Sequence, residues 1–227
     1  MTMLLRREQP VNHKRVRRMM AELSLSVKHR RKWVRTTDSD HGLPVYPNLL
    51  KSFRPDRINE VWVADITYIG LARGFVYLAV LLDLYSRRVV GWALGERMTS
   101  ELVQAALESA LQQRGSVPGC IHHSDRGVQY ASRGYVEKLH QAGLRPSMSR
   151  RGNPYDNAYA ESFMKTLKVE NVYLENYQTY REVLGGVPGF IEAVYNRKRL
   201  HSSLGYLSPE EFETKQDTAQ PTGITTP

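Results

Sequence analysis

Residues 61–69 read Val-Trp-Val-Ala-Asp-Ile-Thr-Tyr-Ile, a run of strand length that is apolar on both faces apart from Asp65 and Thr67. Such a run is typical of a central strand whose two sides are both covered. A buried charge without a partner costs several kcal/mol in that position. Asp65 is therefore predicted to serve the chemistry of the protein, and the alternative is that it pairs with an arginine.

The residues that follow predict two more strands and then a change of period. Residues 75–82 and 88–94 are apolar and have short connections, so they should pair with 61–69 as an antiparallel meander. Beyond them the predicted elements are, in order, a helix from Thr99 or Ser100 to Gly115, a strand at 120–123, a helix from about Ser132, an extended segment at 144–148 and a helix that begins at Asn153-Pro154. The predicted fold class is α/β, with one mixed sheet of three antiparallel strands followed by alternating helices and strands.

Positive charge is concentrated at the N-terminal end of the chain. Residues 1–57 hold 14 basic and 5 acidic side chains, whereas residues 58–227 hold 18 of each. A basic segment of this kind favours a polyanionic partner, most often nucleic acid, although a solvated charged face is the alternative. Within it, a helix capped by Asn12 carries four cations that are predicted to bind DNA, namely Lys14, Arg15, Arg17 and Arg18.

These patterns predict four segments along the chain. They are a basic helical arm at residues 1–35 that is the remnant of a DNA-binding module, a linker at 36–58, a folded core with C-terminal helices at 59–213 and a disordered tail at 214–227. The sequence has no apolar run long enough for a membrane span or a signal peptide, and the single Cys120 excludes a disulfide framework. A cytoplasmic protein without a membrane partner is expected.

Two further acidic residues are candidates for ligand groups, one at the end of a predicted strand and one on a predicted helix. Asp125 lies just past the predicted strand 120–123, and Glu161 lies on the later helix with 35 residues between the two. Lys165 and Lys168 share the helix face of Glu161, where they would neutralise phosphates. Converging carboxylates suit Mg²⁺ or Mn²⁺, and two such ions about 4 Å apart can activate the nucleophile and stabilise the leaving oxygen of a phosphodiester. The predicted metal ligands are Asp65, Asp125 and Glu161.

Six short blocks occur in a fixed order along the chain. They are 62–68 (Trp-Val-Ala-Asp-Ile-Thr-Tyr), 82–92, 123–130 (His-Ser-Asp-Arg-Gly-Val-Gln-Tyr), 151–157, 160–163 and 195–209. Together they resemble the insertion-sequence transposases with a retroviral-integrase-like catalytic core, of the IS-three family type, as the product of the second reading frame. The resemblance implies a ribonuclease-H-like fold, a DDE triad of Asp65, Asp125 and Glu161, and a DNA contact by Lys168. It also places the ligand at Asp65 rather than at Asp83, which more simply closes a turn with Ser86.

The activity that the resemblance implies is cleavage of a phosphodiester at the end of an insertion sequence, followed by transfer of the new 3′-hydroxyl to target DNA. The implied partners are double-stranded DNA, further copies of the chain on that DNA, and a helical DNA-binding protein from an upstream reading frame. Residues 59–213 would be the integrase-like catalytic core, acting at the bacterial nucleoid. Two alternatives stay open: a truncated, non-catalytic DNA-binding product that modulates a full-length transposase, and a ribonuclease-H-like nuclease without joining activity.

Some residues around these blocks have two interpretations. Arg150 and Arg151 either bind DNA or belong to a solvated loop, and the cluster 197–199 near His201 either binds phosphate or forms a structural clasp. The remaining local predictions are that Gly127 lets the Asp125 loop turn tightly, that His123 bonds to that loop, that Tyr159, Phe163 and Leu167 face the sheet, and that Gly185-Gly186 and Pro188 interrupt the helix before Tyr195.

Overall fold

A mixed sheet of five strands forms the centre of the protein. In the computed structural model, which describes residues 1–25, 42–51, 53–150 and 157–219, the strands are β1 (Val61–Gly70), β2 (Phe75–Asp83), β3 (Val89–Gly95), β4 (Ile121–Ser124) and β5 (Arg145–Met148). Their order across the sheet is β3-β2-β1-β4-β5. β1, β2 and β3 pair antiparallel, whereas β4 pairs parallel with both β1 and β5. The predicted mixed sheet, with its antiparallel meander, is confirmed.

Helices cover both faces of this sheet and continue beyond it at both ends of the chain. They are α1 (Thr2–Leu5), α2 (His13–Glu22), α3 (Ser100–Arg114), α4 (Val128–Ala131), α5 (Arg133–Gln141), α6 (Ala158–Leu167), α7 (Tyr173–Glu175), α8 (Tyr180–Gly189) and α9 (Pro209–Ala219). Wide π turns occupy Lys168–Val172 and Phe190–Asn196, and tight 3-10 turns occupy Leu49–Lys51 and Ser202–Leu204. Over the described ranges, no helix is long and apolar enough to cross a membrane.

Alternate residues of β1 point into two different apolar layers. Val61 and Val63 pack with the buried side of α6 and with α8, whereas Trp62 and Ala64 pack with α3 and α5. All four side chains are at most 1% exposed. By the same alternation, Asp65 lies on the face of Val63, which is the face that α6 covers.

The buried side of α6 differs in part from the predicted one. Its buried residues, spaced i, i+3, i+4 and i+7, are Ala160, Phe163, Met164 and Leu167. The expectation that Tyr159 faces the sheet is wrong, because its side chain is 46% exposed and the Arg87 guanidinium lies 3.8 Å from its ring centroid. The predicted start at Asn153-Pro154 lies outside the described residues, and the helix is described from Ala158, with Asn157 at the N-cap position.

The predicted interruption before Tyr195 is wrong. α8 passes directly into the π-helical segment Phe190–Asn196, so the chain stays helical. Pro188 removes one N–H from the hydrogen-bond ladder, and the helix changes to the wider π spacing just after it. A Cβ on Gly186 would lie 2.1 Å from the hydroxyl oxygen of Tyr177, so this glycine makes room for a packed side chain instead of ending the helix.

The last helix extends past the predicted end of the core. The prediction of a disordered tail from residue 214 is wrong up to Ala219, where α9 ends, and the residues beyond Ala219 lie outside the described part. Glu213 on α9 is 4% exposed and forms ion pairs with Arg88 and Arg114. The helix is therefore tied to the start of β3 and to the end of α3.

The segments before the sheet are only partly separate from it. Leu49 and Phe53, in the predicted linker, are partly buried against the apolar layer of α6. In the arm, the predicted cap of α2 is confirmed, since the Asn12 side chain accepts a hydrogen bond from the N–H of Lys14 at 2.9 Å. Where the domains begin and end remains a prediction, because residues 26–41 lie outside the described part.

Candidate active site

Asp65 lies in β1, and Asp125 directly follows the last residue of β4, the parallel strand beside it. β1 and β4 are paired in register with Val63 opposite His123, so the next positions on the same face of the two chains are Asp65 and Asp125. Neighbouring strands are about 4.8 Å apart, which brings the two carboxylates into each other's field. The predicted arrangement of a mid-strand and a strand-tip aspartate is therefore present in the fold.

Burial and like charge raise the pKa of Asp65 from 3.8 to about 8. Burial is the largest cause, repulsion by Asp125 is the next, and Glu161 adds to it. The N–H of Ile66, which donates to Oδ1 of Asp65 at 2.8 Å, and the charge of Lys168 act in the opposite direction. Asp65 is thus a carboxyl that keeps its proton at neutral pH unless a cation is supplied.

The loop of Asp125 is shaped by the glycine that follows it. The N–H of Gly127 donates to Oδ1 of Asp125 at 2.9 Å, and a Cβ on Gly127 would lie 3.0 Å from that oxygen. The φ of Gly127 is −63°, which any residue adopts, so the glycine provides space for the carboxylate and not the predicted tight turn. His123 bonds to the hydroxyls of Ser147 and Ser149 at 2.8 and 3.0 Å, which ties β4 to β5 just before the loop.

Helix α6 carries Glu161 toward the two aspartates. The helix is anchored at its start, where Nδ2 of Asn157 donates to the carbonyl oxygen of Ala64 at 3.1 Å, next to Asp65. Glu161 is exposed, yet its charge contributes to the raised pKa of Asp65. Among the described residues, no three Asp, Glu, His or Cys side chains are close enough together to hold a metal ion. The structure therefore contains an aspartate pair with an exposed glutamate in electrostatic range, and not a closed cage of three carboxylates.

Lys168 lies at the other end of this face of α6. Its Nζ is 4.3 Å from the ring centroid of Tyr68, a cation–π distance, and the side chain is half-buried. Burial lowers the pKa of Lys168, and the charge of Asp65 opposes that shift. Sequence reasoning missed Tyr68, because strand alternation predicts that a residue three positions after Asp65 lies on the opposite face of β1. Lys165 is exposed.

Asp83, the rival of Asp65, has a structural role. Its side chain is fully buried and accepts hydrogen bonds from the backbone N–H groups of Asn59 at 2.7 Å, Tyr85 at 2.9 Å and Ser86 at 2.9 Å. The predicted turn with Ser86 is confirmed. A carboxylate that is satisfied by three backbone donors is not available to a ligand.

The other residues predicted to bind DNA that the structure describes lie on the surface. The four cations of α2, which are Lys14, Arg15, Arg17 and Arg18, are exposed around the helix, and Arg18 lies 3.6 Å from Glu22. Arg150 is exposed, and Arg151 lies outside the described residues. Their contacts with DNA remain a prediction.

The basic cluster 197–199 has a structural role at two of its three positions. Arg199 forms an ion pair with Glu170, and Nε of Arg197 lies 3.1 Å from a carboxylate oxygen of Glu210. The ring of His201 packs edge-on against Tyr195 at 5.2 Å, and burial lowers its pKa to about 4. These contacts favour the structural clasp over the phosphate site.

Comparison with known proteins defines the class to which this fold and site belong. Residues 55–154 and 142–209 match two families that are both described as "Integrase core domain". The chain is similar in structure to the simian T-cell lymphotropic virus intasome in complex with PP2A regulatory subunit B56 gamma (18% identity, TM-score 0.61, 84% of this chain and 64% of that chain). It is also similar to the catalytic core domain of BIV integrase (19% identity, TM-score 0.52, 71% of this chain and 99% of that chain). The protein therefore has an integrase-like core of ribonuclease-H-like fold.

Curated relatives narrow this class to one family. The chain is 46% identical to the Insertion element IS600 uncharacterized 31 kDa protein of Shigella sonnei, over 90% of this chain and 76% of that protein. It is 41% identical to the Transposase for insertion sequence element IS904 of Lactococcus lactis (89% and 80%) and 43% identical to the Transposase InsF for insertion sequence IS3A of Escherichia coli (91% and 72%). The chain belongs to the insertion-sequence transposases, which makes it a DDE-type polynucleotidyl transferase. These relatives favour that assignment over the non-catalytic alternative.

Proposed function

We propose that the protein is a DNA transposase that cleaves and joins strands at the ends of an insertion sequence, with Asp65, Asp125 and Glu161 as its catalytic carboxylates. The observation that carries the proposal is the aspartate pair, one in β1 and one just past the end of the adjacent parallel strand β4, with the α6 glutamate in electrostatic range. Asp83, the other strand aspartate, is already satisfied by backbone donors. Membership of the transposase family indicates the reaction, and the Asp65–Asp125 pair is the proposed site of that reaction.

The donor set of this site fits a hard divalent cation. It consists of carboxylate oxygens, the ligands that Mg²⁺ and Mn²⁺ prefer. Burial is the largest cause of the raised pKa of Asp65, and repulsion by Asp125 adds to it, so a bound cation would favour the ionised carboxylate. Asp65 and Asp125 would hold the ion, and Glu161 would complete the ligand set by a change of side-chain rotamer. A pair of such ions, which we propose here, supplies Lewis-acid activation of the attacking and leaving oxygens.

The chemistry proceeds by two exchanges at phosphorus. In the first, water attacks a phosphodiester at the end of the element, a P–O bond forms as another breaks, and a 3′-hydroxyl is released. In the second, that hydroxyl attacks a phosphodiester of the target, so one phosphodiester forms for each one broken. The carboxylates would position the reacting groups for both steps. The sheet and α6 would shield the carboxylates from bulk water on one side.

DNA and further copies of the chain are the proposed partners. Lys165 lies on α6, Lys168 directly follows it and Arg150 lies before it in the chain. Together with Arg151, they would neutralise the phosphates of the element end. The cations of α2 would extend the DNA contact to the arm. Two element ends must be brought together for joining, which favours an oligomer assembled on the DNA at the nucleoid. A helical protein from an upstream reading frame is a further proposed partner.

The direct test is strand cleavage and transfer on duplexes that carry the ends of the encoding element, with Mg²⁺. Asp125→Asn and Glu161→Gln should each abolish both products, since each removes a proposed ligand. Glu175→Gln is the matched control, because Glu175 is an exposed carboxylate on α7, away from the pair. Cleavage by the two site variants at the wild-type rate would contradict the assignment.

We expect the protein without cation to lose stability as the pH rises from about 4 to about 8. In this window the folded chain keeps a proton on Asp65 that the unfolded chain has already released, because the pKa of Asp65 is raised to about 8. Folded protein then binds more protons than unfolded protein, so stability falls with pH. Mg²⁺ competes with that proton, and its affinity should rise by up to about tenfold per pH unit until about pH 8.

The measurement is thermal unfolding between pH 5 and pH 9, with and without Mg²⁺. The shift in Tm caused by Mg²⁺ should be larger at high pH than at low pH, and Asp65→Asn should remove the difference. A shift in Tm that is independent of pH would mean that Asp65 is not a ligand.

Lys168 should contribute one phosphate contact, and Tyr68 should position it. We expect Lys168→Ala to weaken binding to the element end several-fold and to reduce the salt slope of binding by about 1. Tyr68→Leu should have the same effect because it removes the ring beneath Nζ, whereas Tyr68→Phe keeps the ring and should bind like wild type. Lys215→Ala on α9 is the control for loss of an exposed positive charge.

The test is a salt titration of binding by fluorescence anisotropy. If Tyr68→Phe binds as weakly as Tyr68→Leu, the hydroxyl and not the ring is responsible, and the cation–π contact does not position Lys168.

A further inference from the structure

The hydroxyl of Tyr130, a residue shortly after the Asp125 loop, is buried without a hydrogen-bond partner. Tyr130 lies on α4, which begins directly after the Asp125 loop, and its backbone N–H donates to the carbonyl oxygen of Gly127 at 3.0 Å. The residue is 3% exposed. Its hydroxyl oxygen is one of the few buried side-chain polar atoms in the described part of the chain that have no hydrogen-bond partner.

Tyr135, which packs against Tyr130 in the same apolar layer, shows that a tyrosine hydroxyl can find a partner there. The rings of Tyr130 and Tyr135 meet edge-on at 5.6 Å, and both contact the ring of His122. The Tyr135 hydroxyl bonds to Nε2 of His122 at 2.8 Å, so it is satisfied. Leaving a buried hydroxyl unpaired costs about 1–3 kcal/mol, and phenylalanine would fill the same space without that cost. The Tyr130 hydroxyl therefore needs a reason beyond packing.

The charged groups around the Tyr130 phenol indicate why a hydroxyl is present at this position. Burial is the largest cause of the raised pKa of Tyr130, and Tyr135, Asp65 and Asp125 add to it, so the phenol lies within the electrostatic field of the pair. Oδ1 of Asp65 accepts from Ile66, and Oδ1 of Asp125 accepts from Gly127. A further donor directed at the pair would orient the carboxylates once a cation is bound.

We propose that Tyr130 is a positioning residue, whose hydroxyl donates a hydrogen bond to the Asp65–Asp125 pair when the pair binds a divalent cation. The inference rests on the proposed function, since it assumes that the pair binds the ion. Tyr130 touches neither substrate nor reacting atoms in this role. It orients the carboxylate oxygens, and it is left unpaired in the protein without cation.

The test compares Tyr130→Phe with Tyr135→Phe in the full chain, using thermal unfolding titrated with Mn²⁺ alone at pH 8. Tyr130→Phe should leave the Tm without cation equal to or above that of wild type, because it removes an unpaired hydroxyl. It should raise the half-saturating Mn²⁺ concentration about fivefold, the effect of losing roughly one net hydrogen bond. Tyr135→Phe should lower the Tm without cation, because it breaks the bond to His122, and should leave the Mn²⁺ dependence unchanged.

Each other outcome overturns the proposal in a distinct way. A Mn²⁺ titration of Tyr130→Phe that superimposes on wild type would show that the hydroxyl has no part in holding the pair. A Tm without cation that falls as far as in Tyr135→Phe would show that the hydroxyl serves the fold. Absence of any Mn²⁺ shift in wild type would overturn the proposed metal site, and the role of Tyr130 with it.

Discussion

Replacing Asp65 by asparagine should abolish strand cleavage and joining and, at the same time, make the protein without cation more stable. The amide has nearly the shape of the carboxyl but does not titrate, so folding no longer has to protonate a buried carboxyl or leave it charged beside Asp125. A gain of about 1–2 kcal/mol in the free energy of unfolding is expected at pH 7 or above. Activity should fall on the order of 10³-fold or more, because a cation ligand that serves the transition state contributes several kcal/mol.

Asp83→Asn is the matched control for this prediction. Asp83 is also a strand aspartate, but its oxygens accept three backbone N–H groups, and an amide nitrogen would face one of these donors. The variant should lose about 1–3 kcal/mol of stability. Urea unfolding of the two variants without cation, together with the strand-transfer assay, gives the comparison. If Asp65→Asn is destabilised like Asp83→Asn, or remains active, Asp65 is a structural residue and the site has been placed wrongly.

Glu213→Ala should destabilise the whole core, although Glu213 lies far from the carboxylates in sequence. Its side chain is 6% exposed and pairs with both Arg88 and Arg114. The Nε atoms of these arginines are already buried without a partner, so removing the carboxylate leaves two guanidinium groups poorly compensated. Breaking a buried pair in this way costs about 3–5 kcal/mol.

The control for this second prediction lies on the same helix. Glu210 pairs with Arg197 at 3.1 Å on the surface, where an ion pair contributes about 0–1 kcal/mol. Urea unfolding should therefore separate Glu213→Ala from Glu210→Ala by several kcal/mol. Equal stability of the two variants would show that α9 is not required by the sheet, and that the core ends before Glu213.

The order of the elements and the identity of the acidic residues follow from local patterns. The run 61–69 with one aspartate, the short connections after it and the change of period near Thr99 are sufficient to predict the meander and the mixed sheet. The spacing from Asp125 to Glu161 and the order of the motif blocks are sufficient to select the family. The strands and helices can be predicted in this way because hydrophobic periodicity and turn residues act over a few positions. The spacing and the motif order are read directly from the chain.

The state of the site follows instead from contacts between distant parts of the chain. Periodicity did not predict that Tyr159 turns outward under Arg87, that Lys168 lies over Tyr68, or that the hydroxyl of Tyr130 is buried without a partner. It also could not predict how strongly Asp65 resists ionisation, because that depends on burial and on charges brought in by β4 and α6. Side-chain packing and electrostatics act through space, so they exist only once the strands and helices are assembled.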